Sequence, residues 1–228
     1  VRTLCRAPKL RLAEPDGHDL ADARRLRRAY NTLHKMGQVS WRRLANDEIE
    51  SRMEGLFAQH IARWSHTATP SFFTTERHRA FYHALARNLA PLGRLVLTET
   101  MLDDLPVAYD WGYFYRDSLM LHTRAYQLPP GSSSSVAPGS VSLYYWLGYA
   151  VEHNLAEVDF GRGEEHYKES VSNCLAENLA VHVYRRALDR RADDLALNLI
   201  ARIERLPEHS MAQRLLRRLR DRRWGSLG

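Results

Sequence analysis

The chain has 228 residues, 44% of them hydrophobic, and carries 33 basic against 27 acidic side chains, a formal net charge of +6. That length and apolar fraction can bury a real core and exclude a disordered chain, while no run approaches the roughly 20 apolar residues of a membrane-spanning helix. The basic excess points toward nucleic acid or an anionic membrane surface. Yet only three of the cations are Lys (Lys9, Lys35, Lys168) and 30 are Arg, a skew expected from codon usage more than from phosphate binding. Cys5 and Cys174 stand far apart and outside any CxxC arrangement, which excludes a disulfide framework and a cysteine-rich zinc site. The start Val1-Arg2-Thr3 has no secretion-signal pattern, so a cytoplasmic location is expected. The absence of an initiating Met is read either as a fragment or as a start codon rendered literally.

Residues 1–45 are Arg-rich, with a helical stretch around Asp19–Leu33 and a period-2 run at Gln38–Leu44 that predicts a strand. Asn46-Asp47-Glu48 supplies an N-cap and an acidic first turn. Behind it Ile49, Met53, Leu56, Phe57, His60, Ile61 and Trp64 share one helical stripe. Pro70 separates this helix from a second that starts near Thr75-Glu76, places Phe81, Leu85 and Leu89 on one face, and ends at Pro91 and Gly93. Arg94–Thr100, Pro106–Tyr115 and Ser118–Tyr126 follow as strands, joined by turns at Asp103-Asp104 and Arg116-Asp117 into an antiparallel meander. A Pro/Gly/Ser loop over 129–135 leads to an apolar helix at Val141–His153 and a short strand at Ala156–Phe160. A tight turn at Gly161-Arg162-Gly163 then opens a helix near Glu164–Lys168. From about Leu175 to Trp224 the pattern is helical. The order predicts a mixed α/β layer in which a meander is followed by a βαβ crossover.

The chemistry concentrates between Ser132 and Lys168. A Ser/Gly-rich loop entering a helix leaves backbone N–H groups free at the positive end of its dipole, which suits a phosphate. There Pro138 suits the first helical position, and Gly139 is expected to let a ligand approach the backbone. The competing reading is a mobile linker. At the strand end, Tyr167 can donate a proton and Lys168 offers a compact cation, against the alternative that Tyr167 caps a packed helix and Lys168 is solvated.

Leu143–Lys168, with Pro138-Gly139 ahead and Asp159-Phe160-Gly161-Arg162-Gly163 and Tyr167-Lys168 at the end, resembles the GNAT-fold acyltransferases called BioF2-like or CelD-like. That family is associated with bacterial cellulose and exopolysaccharide clusters and is related to the FemAB peptidoglycan-bridge enzymes. His60-Ile61-Ala62-Arg63-Trp64 is similar to its helix ending in Arg-Trp, and Arg94–Tyr126 to its meander; the likeness spans about Ala45 to Asn173. The resemblance implies a GNAT (acyl-CoA N-acyltransferase) fold, with a mixed, mostly antiparallel sheet and helices on both faces. It also implies transfer of an acyl group from acyl-CoA, as co-substrate, to an amine acceptor, a small molecule or sugar amine. Val136, Ala137, Gly139 and Ser140 would then hold the pyrophosphate, and Ser118–Tyr126 would pair with the pantetheine arm. Tyr167 is the candidate acid, and Asp159 the base or a structural anchor. His122, sharing a strand face with Arg124, is the other candidate base. Arg63, Trp64, Arg162 and Lys168 are candidate acceptor contacts, Trp64 being equally a core residue. Typical acetyl-CoA-binding members carry Gln/Arg-x-x-Gly-x-Gly/Ala at the pyrophosphate loop, and here only Gly139 is present. The donor is therefore left open between acyl-CoA and an aminoacyl-tRNA, as in the FemAB relatives, with a non-catalytic scaffold as a third reading.

The expected division is 1–45 as an N-terminal segment, the tail of a preceding domain; 46–175 as the acyltransferase domain; and 176–228 as an Arg-rich helical extension. In that extension Arg202, Arg205, Arg214, Arg217, Arg218, Arg220, Arg222 and Arg223 accompany Leu206, Leu215, Leu216 and Leu219. This is either a peripheral membrane, RNA or partner contact or simply a solvated helix face. The eleven His residues form no HExxH or other close metal pattern, so no metal is expected.

Overall fold

The computed structural model describes residues 2–67, 70–133, 136–163, 165–181, 183, 187–204 and 211. Strand β1 (Arg2–Arg11) leads into α1 (Gly17–Ala21), α2 (Arg24–His34) and β2 (Val39–Arg43). Helices α3 (Ile49–Trp64) and α4 (Glu76–Leu89) flank a 3₁₀ turn at Phe72–Thr74. The meander is β3 (Leu95–Leu102), β4 (Leu105–Tyr115) and β5 (Ser118–Tyr126). Helix α5 (Pro138–Glu152), β6 (Glu157–Asp159), the single turn α6 (His166–Glu169) and β7 (Cys174–Ala180) follow.

All seven strands join one open sheet in the order β2-β3-β4-β5-β6-β1-β7. The β2–β3, β3–β4, β4–β5 and β1–β6 pairs are antiparallel and the β5–β6 pair is parallel, α5 being the crossover between them. This is the mixed, mostly antiparallel α/β sheet expected. Helices cover both faces, which explains why Leu95, Val96 and Leu97 are buried in succession. Leu95 and Leu97 pack with Met53, Leu56, Phe57, Tyr82 and Trp111 on the α3/α4 side. Val96 packs with Leu143, Trp146, Leu147 and Leu119 on the α5 side.

Residues 3–179 form one compact unit. The sheet thus takes in β1 and β2 from the segment 1–45, and β1 pairs with β6 through Lys9–Asp159, Leu10–Val158 and Arg11–Glu157. The second unit joins residues 180–228 to the first two residues of the chain. Its described helix, α7 (Ala187–Glu204), exposes Leu195 and Leu199 and carries Arg202 in its last turn. The arginines and leucines expected to make an amphipathic surface beyond Arg202 lie outside the described residues.

Several local expectations are corrected. The helix expected from Leu175 onward begins instead as β7. The helix over Asp19–Leu33 is two helices, broken at Asp22-Ala23. Glu48 occupies the N-cap position of α3 without a side-chain cap, because its carboxylate accepts from the Ala45 N–H at 2.8 Å and from Arg42 at 2.8 Å. On α4, Leu85 and Leu89 pack against the core as expected, but Phe81 is exposed and Tyr82 and Ala86 are the fully buried residues.

A register irregularity shapes the middle of the sheet. Trp111 faces Thr123 but Gly112 faces Leu121, so His122 is an extra residue, a β-bulge. A side chain at Gly112 would place its Cβ 2.7 Å from the Met120 carbonyl oxygen, on backbone that the bulge already holds. Gly112→Ala is expected to destabilise the domain by about 1–3 kcal/mol, as overpacking does. A urea midpoint equal to that of the parent protein would contradict this account.

Candidate functional site

The parallel ladder between β5 and β6 lasts three residues, Ser118–Glu157, Leu119–Val158 and Met120–Asp159. At Gly161 the chain turns away with φ +70°, a left-handed conformation that glycine adopts freely. Asp159 fixes this turn: its carboxylate accepts the Gly161 N–H at 2.7 Å and pairs with Lys9 at 3.0 Å. Beyond Met120 the β5 edge therefore faces a cavity of about 780 Å³. Its other walls are the last turn of α3 with Phe72, the start of α5, and the 160–168 turn.

Most of the expected site residues meet there. His122, Val136, Ala137, Gly139, Ser140, Arg63, Trp64, Arg162, Tyr167 and Lys168 all line the cavity. Asp159 does not; its contacts are those of the anchor that was one of its two expected roles. Lys168 is buried, with its ammonium donating to the Arg162 carbonyl at 2.6 Å and pairing with Glu165 at 2.8 Å. It staples the turn rather than presenting a free cation, which corrects both of its expected settings. Val136 is also largely a core residue, packed with Val107 and Val141.

The bulge separates two residues expected on one strand face. His122 lies against Tyr82 and Tyr113, its ring 5.5 Å from that of Tyr113 and its Nε2 3.3 Å from the Tyr82 hydroxyl. Arg124 instead forms a buried ion pair with Asp110, whose second oxygen accepts from the Ser142 hydroxyl. Burial opposes the Arg124 charge, but the Asp110 carboxylate outweighs it and the guanidinium is held above its usual pKa. Its carbon sits 5.8 Å from the Tyr167 ring centre. His122 is reached from the cleft, yet enough aromatic surface surrounds it that desolvation lowers its pKa below the ordinary 6.5.

Gly139 has a different reason from the one expected. A Cβ there would lie 2.7 Å from Tyr126 Cδ1, so the missing side chain makes room for the Tyr126 ring and not for a ligand. That ring in turn carries Arg63, whose guanidinium carbon is 4.1 Å from its centre. Pro138 brings no N–H, and the Ser140 N–H bonds the Ala137 carbonyl at 2.9 Å. Among the first three helical positions, Gly139 alone keeps an N–H without a partner among the described residues. The free β5 edge fits an extended acyl-thioester arm. The α5 start offers a phosphate fewer donors than a glycine-rich loop does.

Sequence reasoning did not single out Asp110, Ser142, Tyr82, Tyr126 or Ser71, nor assign His60 a role in the site. Asp110 had a visible signal, a lone carboxylate inside the apolar run Val107–Trp111. His60 is buried in the last turn of α3, with Nδ1 2.8 Å from the Ser71 Oγ. Burial, reinforced by the Arg63 charge, pushes its pKa down to about 4.

An open sheet that splits between two parallel strands, with a helix starting beside the split, defines a GNAT-type acyltransferase domain. The chain belongs to the acetyltransferase (GNAT) domain family, whose model matches residues 21–169. Among solved structures, FemX superposes with a TM-score of 0.55 at 13% identity over 75% of this chain and 59% of that one. L-PGS from Bacillus licheniformis gives 0.52 at 11% identity, over 77% and 59%. The C-terminal domain assigned to a lysylphosphatidylglycerol synthetase of Agrobacterium fabrum gives 0.53 at 10% identity, over 87% and 65%. The chain thus spans about three-fifths of these structures, and at such identities the likeness is one of fold. A search of curated proteins finds no match.

His60 sets a pH dependence of stability. Its folded pKa of about 4 lies below the unfolded value near 6.5, so between the two the unfolded state binds more protons. Stability is full above about pH 6.5 and falls as the pH drops toward 4, by about 3 kcal/mol for a shift of this size. Denaturant titrations at several pH values are expected to show this slope, reduced in His60→Gln; an equal slope in that variant would assign the effect elsewhere. Breaking the other buried pair with Asp110→Ala is expected to cost about 3–5 kcal/mol, partly recovered in Asp110→Ala/Arg124→Leu.

Proposed function

We propose that this domain transfers an acyl group from a thioester to an amine in the cleft between β5 and β6. The observation that carries the reading is that one cavity is lined both by an imidazole whose pKa burial lowers and by a tyrosine beside a fixed cation. His122 takes the amine proton, leaving the nitrogen free to attack the carbonyl carbon. As the C–N bond forms and the C–S bond breaks, Tyr167 gives its proton to the departing thiolate. Arg124, held by Asp110 and Ser142, lies 5.8 Å from the centre of the Tyr167 ring and fixes its position. The unpaired edge of β5 beyond Met120 supports the acyl-bearing arm of the donor. Arg63 and Trp64 on one wall and Arg162 on another are the acceptor contacts.

The donor most consistent with the family is acyl-CoA. The sparse N–H groups at α5 and the arginines Arg25, Arg63 and Arg162 around the cavity favour a second reading, an aminoacyl-tRNA donor. A role in exopolysaccharide, cellulose or cell-envelope synthesis rests on the family resemblance. No helix among the described residues is long and apolar enough to cross a membrane.

His122→Ala and Tyr167→Phe are each expected to lower kcat by about 10²–10⁴-fold with thioester binding retained. In the parent enzyme kcat/KM falls as the pH drops through a value below 6.5, and His122→Ala removes that limb. Unchanged turnover in both variants would favour a scaffold instead. Calorimetry with acyl-CoA, set beside tRNA binding measured as a function of salt, separates the donors. A tRNA donor requires affinity that declines steeply as salt rises.

A further inference from the structure

The transfer chemistry gives no part to His60, which lines the cleft beside Arg63, or to Ser71 behind it. Ser71 is buried, and its Oγ accepts the Phe73 N–H at 3.1 Å. Among the described residues, the Ser71 hydroxyl hydrogen has one nearby acceptor, His60 Nδ1 at 2.8 Å. If the imidazole donated to Ser71 instead, that hydrogen would be buried without a partner. The hydrogen-bond count thus puts the ring proton on Nε2, which has no protein acceptor among the described residues. His60 lines the cavity, so this N–H is a donor awaiting a ligand.

Arg63 stands one turn on. Its guanidinium is stacked on Tyr126 and lies 5.5 Å from the Trp64 ring centre, and it pairs with no carboxylate among the described residues. Among the described residues the carboxylates lining the cavity are Asp110 and Glu165, and they are committed to Arg124 and Lys168. An imidazole N–H and a guanidinium therefore line this part of the cleft, with no unpaired carboxylate beside them among the described residues.

We propose that His60 and Arg63 form a subsite for an anionic group, a carboxylate or phosphate, carried by the amine substrate. The imidazole Nε2–H gives the directional hydrogen bond and the guanidinium the charge; the assignment to the amine substrate rests on the cleft being the transfer site proposed above. Ser71 is a positioning residue, since it fixes the tautomer without touching the ligand.

The test is NMR of the histidine rings in the intact chain, with the His60 signal identified by its loss in His60→Gln. The Nε2–H tautomer is expected throughout roughly pH 5 to 8. Inorganic phosphate, or acetate in a separate titration, should shift that signal saturably, with Kd on the order of 1–10 mM. The anion that binds more tightly assigns the group. Arg63→Gln, a change at an exposed residue, should weaken binding by about tenfold. An Nδ1–H tautomer, no saturable shift from either anion, or equal binding by Arg63→Gln would each overturn the proposal. Anion binding at His60 in a protein inert toward thioesters and aminoacyl-tRNA would overturn the transfer reading and leave the subsite standing. An active enzyme whose His60 signal ignores both anions would do the reverse.

Discussion

The separation of β5 from β6 after three paired residues is the constraint on which the rest of the structure depends. Parallel neighbours ordinarily continue until one strand ends, and here β6 ends because Gly161 turns it away. A turn of this kind could relax back into the ladder, and three contacts oppose that. Asp159 binds the Gly161 N–H, Lys9 holds Asp159 from the neighbouring strand, and Lys168 ties the Arg162 carbonyl from the far side of the turn. The cavity is the space this arrangement keeps open, and its polar lining is backbone edge on one side and side chains on the others.

The bulge at His122 gives that space two kinds of wall. Without the extra residue, alternation would put the imidazole beside Arg124, where a fixed guanidinium would compete with any proton the ring accepts. With it, His122 sits among Tyr82 and Tyr113 and is kept neutral by desolvation, while Arg124 lies with Asp110 and Tyr167. His122 and Tyr167, the base and acid proposed above, thereby lie in separate electrostatic surroundings within one cleft. The buried Asp110–Arg124 pair is costly in desolvation, and its position under Tyr167 gives it a use beyond stability.

Much of this was legible from the chain order of helices and strands and from residues around the Gly161–Gly163 turn. The meander strands fell close to their observed limits because the turn residues Asp103-Asp104 and Arg116-Asp117 bound them, and α3 because its helical stripe is unbroken. The misreadings have specific physical causes. β1 and β7 carry Arg, Lys and Glu at positions that a sequence window scores as surface, and β1 makes its pairing with β6 about 150 residues away. The bulge has no local sign, since one extra residue looks like ordinary alternation until the partner strand is known. Gly139 invited a ligand explanation because the aromatic ring it accommodates, Tyr126, lies outside any local motif. Lys168 and Asp159 stood out by type, but only tertiary contacts distinguish a side chain that holds a turn from one that meets a substrate.

The position of β1 bears on how the domain should be delimited. The family match begins at residue 21, whereas the strand that pairs with β6 and supplies Lys9 precedes it. A piece of the protein cut to the matched residues would leave β6, three residues long, as a sheet edge paired with β5 alone, and would release Asp159 from its cation. The mouth of the cleft would then have lost its brace while every residue lining the cleft was still present. The motif-bearing centre and the mechanically complete unit are different stretches of chain, and the difference is the first strand.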